Sequence, residues 1–413
     1  MREVHEVLPR RVPCWNAEVS CLREMVQRMM KRLMPSADKT RHGVTRNKEL
    51  TARRLAGARR VVLVGLGNIG TRLAMELPLV GAKEVLLVDP DTISQRNLRT
   101  CWAFRPDVIG RAKVDVIGEQ VRQSFAKVSV EVAPCSFNRL GLACLRDWSP
   151  AVLVGAVDSR RARYELAEAA LWLGMPLVDL GIPAAGPPAA RVQVTWRAIR
   201  AIDPLNAWST HDWHLLEQAH PCGTSPAGSN RRPVASSVSG AAAASLGAAA
   251  LRRLFACDIS DIGWEARVEL VRFSTARRPL PAKGLSPLDP SETICARPPL
   301  CHAATLGDLV RFAERQCGPG AVLLLNREIS FGFRCRRCGS QSHVGTVEQQ
   351  PCRMCGKPMI PVHPLTHLDR DTLNEHVNAL VRCLGVERDL LRVMARTARD
   401  HVWMEYCEER NHE

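Results

Sequence analysis

Residues 60–89, RVVLVGLGNIGTRLAMELPLVGAKEVLLVD, hold a short apolar run, a loop with glycines at 65, 67 and 70, a helical stretch, and a second apolar run ending at Asp89. Runs this short and apolar at nearly every position suit strands buried on both faces. Gly65, Gly67 and Gly70 fall between strand and helix, where they permit a tight turn and let the backbone approach a phosphate or a neighbouring helix. Amides left without partners at the helix start favour an anion. Asp89, nineteen residues after Gly70, stands where a carboxylate accepts hydrogen bonds from ribose hydroxyls. These features fit a nicotinamide dinucleotide and ATP equally well, and a purely structural glycine turn also satisfies them.

The pattern continues outward. The runs VSVEVAP (128–134), AVLVGAVD (151–158) and PLVDLGI (176–182) alternate with the helical segments AKVDVIGEQVRQSF and RRARYELAEAALWLG. Short strands alternating with helices predict an α/β fold with a doubly wound, Rossmann-like parallel sheet. A long Gly/Ser/Pro/Arg-rich stretch, HPCGTSPAGSNRRPVASS (220–237), precedes the small-residue helix VSGAAAASLGAAALRRLF. Such a loop within a domain is usually functional. Prolines near 279–300 mark a boundary. Upstream, Val19, Leu22, Val26, Met29 and Leu33 share one helical stripe within residues 15–34. That stripe reads as a packing helix, with a calmodulin-target or membrane-surface helix as the sharper alternative. The expected division is a basic helical extension over 1–45, the α/β domain over 46–280 and a cysteine-bearing module with its tail over 281–413.

The 413 residues, 46% of them hydrophobic, are ample for a sizeable core. The sequence is charged from Arg2 onward, with no apolar signal region and no run long enough to span a bilayer, so a soluble chain with no membrane partner is expected. Sixteen cysteines without a secretory signal point to reduced thiols and the cytoplasm. A net charge of +15 suits nucleic acid, an acidic protein, a nucleotide substrate or simply a solvated arginine surface. No aromatic-basic recognition module is evident, so nucleic acid is not the expected partner.

The segment after Asp89 separates the nucleotide alternatives. In order along the chain come GLGNIG, VDPD, NL, GRAK and GAVDS, which carry Gly65, Gly67, Gly70, Asp89, Asp91, Asn97, Lys113 and Asp158. Over roughly residues 40–275 this series resembles the ThiF/MoeB family of adenylating enzymes, which includes ubiquitin-activating enzymes and activators of sulfur carriers. Read singly, Lys113 is a surface lysine and Asp158 a helix N-cap; the ordered series argues otherwise. The resemblance implies that Asp89 binds ribose, that Asp91 belongs to the nucleotide site, that Asn97 and Lys113 contact the phosphates, and that Asp158 positions Mg2+ or the attacked phosphorus. The chemistry calls for such a set: when a carboxylate attacks the α-phosphate, negative charge on the phosphoryl oxygens must meet cations, a metal and backbone amides. The family usually places an arginine three positions after the asparagine, where this chain has Thr100; Arg99 and Arg105 are the nearby substitutes. A second family arginine, supplied by the partner subunit of a dimer, falls near Arg41 or Arg46 and implies a homodimer.

Cys335 and Cys338 form one CxxC pair and Cys352 and Cys355 another, thirteen residues on, each followed by glycine. Two such pairs suit one tetrahedral Zn2+ in a zinc-ribbon-like module; four thiolates leave no open position, so the role is structural, with redox pairs as the minor reading. The closing residues, NALVRCLGVERDLLRVMARTARDHVWMEY, read as a helix followed by strands. Cys222 lies in the long loop roughly where ubiquitin-activating relatives place the thioester-forming cysteine, with His211, His214, His220 and Arg231 nearby in sequence; an ordinary loop cysteine is the alternative. Cys101 and Cys257 are expected to pack in the core.

The function implied is ATP-dependent adenylation of the C-terminal glycine of a ubiquitin-like or sulfur-carrier protein, with Cys222 or a conjugating enzyme as a later acceptor. The rivals are adenylation of tRNA or a small carboxylate, a nicotinamide-dependent oxidoreductase, and a non-catalytic zinc scaffold.

Overall fold

The computed structural model describes residues 46–182, 187–200, 202, 237–281, 295–296, 305–346, 352–357, 359–373, 376–379, 388–394 and 401–407. The expected helix at 15–34, Arg41, the long loop with Cys222 and its neighbouring histidines, and the helical part of the closing segment at 380–387 lie outside the described residues.

A first helix, α1 (Arg46–Ala58), leads into β1 (Arg60–Val64) and, through the glycine loop, α2 (Asn68–Glu76). There follow β2 (Glu84–Val88), the single turn α3 (Asn97–Thr100), α4 (Lys113–Ser124), β3 (Ser129–Ala133), α5 (Phe137–Leu140), α6 (Leu142–Trp148) and β4 (Ala151–Gly155). Next come α7 (Arg160–Leu173), β5 (Leu177–Gly181), β6 (Ala189–Thr195), α8 (Ser237–Phe255), β7 (Trp264–Glu269) and β8 (Ser274–Pro279). One eight-stranded sheet runs β3-β2-β1-β4-β5-β6-β7-β8. Its first five strands are parallel, as expected, and β6, β7 and β8 extend it by antiparallel pairing.

Apolar residues on both faces of the central parallel strands β1, β2 and β4 explain the double winding. Val61 and Leu63 of β1 enter one core with α1, α2, α4 and α8, while Val62 and Val64 enter a second core with α5, α6 and α7. Val85 and Leu87 against Leu86 and Val88 in β2, and Val152 and Val154 against Ala151 and Leu153 in β4, divide in the same way. Period-two side chains on a sheet covered on both faces require this division. Small residues let α8 lie close on the sheet: a Cβ at Gly247 would come within 2.8 Å of the Leu180 side chain.

Cys101 is buried in the first core, as expected. Cys257 is exposed, contrary to expectation. It takes φ +59° just beyond α8, where its amide and that of Asp258 close the end of the helix on the carbonyls of Leu254 and Arg253. The chain reversal points its thiol outward, and helix capping, not core packing, fixes the residue.

The second sheet begins with β9 (Cys295–Ala296) and, after α9 (Leu306–Cys317), holds β10 (Val322–Cys335), β11 (Gln341–Thr346), β12 (Met359–Leu368), β13 (Arg388–Met394) and β14 (His401–Cys407). Its order is β11-β10-β13-β14-β9, with β12 also paired to β10. Strands β13 and β14 are those expected in the closing segment. Helix α9 starts at a capping box in which Thr305 and Asp308 exchange side-chain and backbone hydrogen bonds. Leu306, Leu309, Val310 and Ala313 pack it against Leu323, Ile329 and Leu368. Among the described residues no helix is long and apolar enough to cross a membrane.

Candidate functional site

In the strand order 3-2-1-4-5 the connections reverse direction between β1 and β4, and in open α/β sheets ligands bind outside the carboxyl ends of strands at such a point. The glycine loop lies there. Gly65 has φ +92°, and a Cβ on it would come within 2.7 Å of the Ala156 carbonyl at the end of β4. A Cβ on Gly70 would lie 1.8 Å from the Gly65 carbonyl. Gly67, by contrast, has nothing within 4 Å of its absent side chain and precedes α2 without a side-chain cap. Two of the glycines are therefore demanded by packing, and the third borders open space at a helix N-terminus, where orphan amides favour an anion.

Asp89 braces this loop from the end of β2. One of its oxygens accepts from the Leu66 amide at 2.5 Å and the other from the Asp91 amide at 2.8 Å. The carboxyl is 5% exposed, and burial raises its pKa against the opposing pull of Lys113 and the two amides. The Ile93 amide donates to the Arg111 carbonyl and the Ile93 carbonyl accepts from the Gly110 amide, and Thr92 bridges Ala112, so the chain folds back and sets Asp91 beside Lys113. The Lys113 ammonium then lies 2.6 Å from Asp91 and 3.6 Å from Asp89.

Lys113 is buried and opens α4. A cation at a helix N-terminus opposes the helix dipole. Burial works against its charge, but Asp89 and Asp91 outweigh that and lift its pKa above the ordinary value. The surface-lysine alternative is thereby overturned. Asn97 begins α3, its side-chain oxygen accepting from the Ser94 amide and hydroxyl at 2.9 and 2.8 Å. Arg99, Thr100 and Arg105 are exposed.

Asp158 follows β4 and is exposed. It is not the cap of α7: Ser159 fills that role, accepting from the Ala162 amide at 3.0 Å. The Val157 carbonyl beside Asp158 accepts from Arg163 at 2.6 Å, and Arg163 also pairs with Asp179 of β5. Asp179 takes Arg191 of β6 as well, at 2.8 Å. Gly65, Gly67, Gly70, Asp89, Asp91 and Lys113 thus converge with the segment bearing Asp158, because that segment touches Gly65, while the side chain of Asn97 is bonded to Ser94. Arg46 opens α1, and nothing is described of its side chain.

Three features escape a reading by motif. Arg72, in α2, donates to Ser237 at the start of α8 at 2.5 Å and to Asn68 at 3.3 Å, with its guanidinium carbon 5.9 Å from the Trp102 ring centroid. The half-buried Arg163–Asp179–Arg191 set is the second. Cys101 is the third, its thiol raised by burial and in the electrostatic field of Lys113, Arg72 and Asp89. The one available sequence signal was the four-residue spacing of Asn68 and Arg72, which places them on one helix face.

Residues 45–196 match the ThiF family. The chain carries a ThiF-family domain. A 120-residue stretch is 31% identical to the "Adenylyltransferase and sulfurtransferase uba4" of Neosartorya fischeri, covering 29% of this chain and 22% of that one. Another, of 121 residues, is 27% identical to the NEDD8-activating enzyme E1 catalytic subunit of Caenorhabditis elegans, covering 29% and 26%. The matches therefore span about a quarter of the curated relatives' lengths. Among solved structures, E. coli MccB with ATP is similar at 18% identity and a TM-score of 0.42, over 58% of this chain and 68% of that one. The ThiF domain contains every strand end described above.

Outside the ThiF domain, Cys335, Cys338, Cys352 and Cys355 bring their sulfurs within 4.8 Å of one another. Tetrahedral Zn2+ with ordinary zinc–sulfur bonds sets sulfurs about 3.8 Å apart, so the cluster fits a zinc module. Each pair sits on a tight knuckle: Cys335 donates to Ser340 and accepts from Gly339, and Cys352 does the same with Lys357 and Gly356. Gly339 and Gly356 have φ +69° and +67°, which closes each turn. Amides of Cys338 and Arg337 lower the Cys335 thiol's pKa. At Cys352 burial raises it, but the amides of Met354 and Cys355 prevail and bring it down to about 6.

Proposed function

We propose that this protein is an ATP-dependent adenylyltransferase that activates the C-terminal glycine of a ubiquitin-like modifier or sulfur carrier. The observation that carries the reading is Lys113, a buried cation at a helix start held by Asp89 and Asp91 beside the glycine loop of a ThiF domain. A dinucleotide oxidoreductase has no use for that lysine. The relative named for activating NEDD8, and uba4, named as adenylyltransferase and sulfurtransferase, support the substrate class.

In this reading Asp89 receives the ribose hydroxyls, and the loop amides, Asn97 and Lys113 receive the phosphates. Asp91 releases Lys113 toward the nucleotide. The substrate carboxylate attacks the α-phosphate, its oxygen forming the new bond while pyrophosphate leaves. Lys113, the amides and Arg99 offset the charge that develops. Asp158 is the side chain that would hold Mg2+, which supplies further charge neutralisation when bound with ATP. Arg46 would serve the site of the second subunit in a homodimer. Zn2+ on the four cysteines would fix the C-terminal module, with residues 1–45, 46–280 and 281–413 as extension, adenylation domain and zinc module. Cys222 would accept the activated glycine as a thioester before transfer to a conjugating enzyme, and the setting is the cytoplasm.

Pyrophosphate exchange into ATP, measured with candidate proteins ending in glycine, tests the reading. Partner-dependent exchange that disappears in Lys113→Ala and Asp158→Ala supports it. ATP binding without exchange for any such partner would overturn it. Cys222→Ala should retain exchange and lose a thiol-sensitive adduct.

A further inference from the structure

Arg72 is 8% exposed, yet no carboxylate among the described residues lies within ion-pair distance of it. Among the described residues its guanidinium meets the neutral oxygens of Ser237 and Asn68 and lies over the Trp102 ring. The other inward-facing guanidiniums are paired: Arg163 and Arg191 with Asp179, Arg253 with Asp258 and Asp261, and Arg277 with Asp261. Removing a cation from water without a counter-ion is costly, and among the described residues none offsets Arg72. Burial accordingly depresses its pKa, with Cys101 and Glu76 only partly opposing.

The position says which anion. Side chains on a helix lean toward its N-terminus, and the contact with Asn68 shows that Arg72 reaches back along α2 toward the glycine loop, about 6 Å away along the axis. Trp102 lies against it, and the preceding residue, Cys101, is in the electrostatic field of Arg72, Lys113 and Asp89 together. Lys113 is already matched by two carboxylates. Arg72 has none among the described residues, and a planar guanidinium suits bidentate recognition of phosphate.

We propose that Arg72 is a triphosphate-binding residue of this site, giving up its hydrogen bond to Ser237 for the phosphate oxygens of ATP alongside Lys113. The proposal rests on the adenylation reading and adds to it a cation from the glycine-loop helix itself. Ser237 is the first residue of α8, so the exchange also releases the residue at which the chain returns from 203–236 to the described fold.

Calorimetric binding of MgATP and of adenosine to the full chain tests this, with wild type, Arg72→Met, Arg72→Lys and Lys113→Ala compared. Arg72→Met is expected to weaken MgATP by about 10- to 100-fold, the usual range for losing a charge-assisted bond, and to leave adenosine unchanged. Arg72→Lys, which keeps the charge and stem, is expected to lose less, still for ATP alone; it serves if the methionine variant fails to fold. Equal losses for adenosine and ATP would reduce Arg72 to a structural residue and overturn the proposal. So would ATP binding that Lys113→Ala weakens and neither Arg72 variant changes, and that result leaves the adenylation reading standing. Wild type that binds no MgATP overturns both.

Discussion

The glycine-loop site and the cysteine cluster each gather several side chains around one point, but by opposite routes. The first draws on residues from position 65 to position 158, delivered by the ends of β1, β2 and β4 and by the start of α4, and it balances its own lysine with its own aspartates. The second is local: two knuckles close on their own backbone bonds and bring four thiols within 4.8 Å of one another. A site delivered by a sheet depends on the whole core and holds its shape unliganded. A site made of two turns has little core of its own, Phe333 and Met359 beside the cysteines, so an ion held there would carry much of its stability.

The largest effect that would sharpen this contrast is metal loss. Strong chelation, or Cys335→Ser, is expected to unfold the knuckle region, since structural Zn2+ supplies on the order of 10 kcal/mol to small modules. Hydrogen exchange should show new exposure from β10 to β12 and unchanged protection in β1 to β5. Exposure spreading equally through both sheets would break the distinction. Gly70→Ala comes next: its methyl would sit on the Gly65 carbonyl, and a thermal melt should show a cost of about 1–3 kcal/mol or more with loss of ATP binding.

Asp89 gives the third. Its raised pKa means the folded chain holds that proton more tightly than the unfolded chain. Its own contribution to stability therefore declines as pH rises from the unfolded to the folded pKa, the reverse of a salt-bridged carboxylate. Affinity for ATP moves the other way, falling as pH drops through the raised value, because the protonated acid loses the charge that holds Lys113. Calorimetry against pH should show this limb in wild type, and Asp89→Asn should abolish it. Ser159→Ala should cost about 1 kcal/mol by removing the α7 cap, read in chemical denaturation. Smallest is Gly67→Ala, expected to change stability by less than about 0.5 kcal/mol while weakening ATP binding. An unchanged affinity would mean that nothing approaches Gly67.

What the sequence disclosed and what it withheld follow a physical line. The parallel strands were legible because the central ones are short runs apolar at almost every position, and the cysteine cluster because its spacing is local. The antiparallel extension was not: AARVQVT (189–195) places Arg191 and Gln193 among the apolar positions, and only the structure supplies Asp179 and Glu265 as their partners. Arg72 was equally silent, since Ser237 lies 165 residues away. Cys257 misled because an apolar-looking thiol after a buried helix is also a good place to reverse the chain.

A strand apolar on both faces carries no record of which residues belong on which side. Shifting β1 by one position would exchange Val61 and Leu63 for Val62 and Val64, and either pair fills a core. The mark that sets the alignment stands at the strand's end, where Gly65 alone tolerates φ +92° against the Ala156 carbonyl and Gly70 alone passes the Gly65 carbonyl. The glycine loop is therefore the ruler by which the central strand is measured into the sheet, and a sequence that drifted away from nucleotide binding would still be held to two of its three glycines.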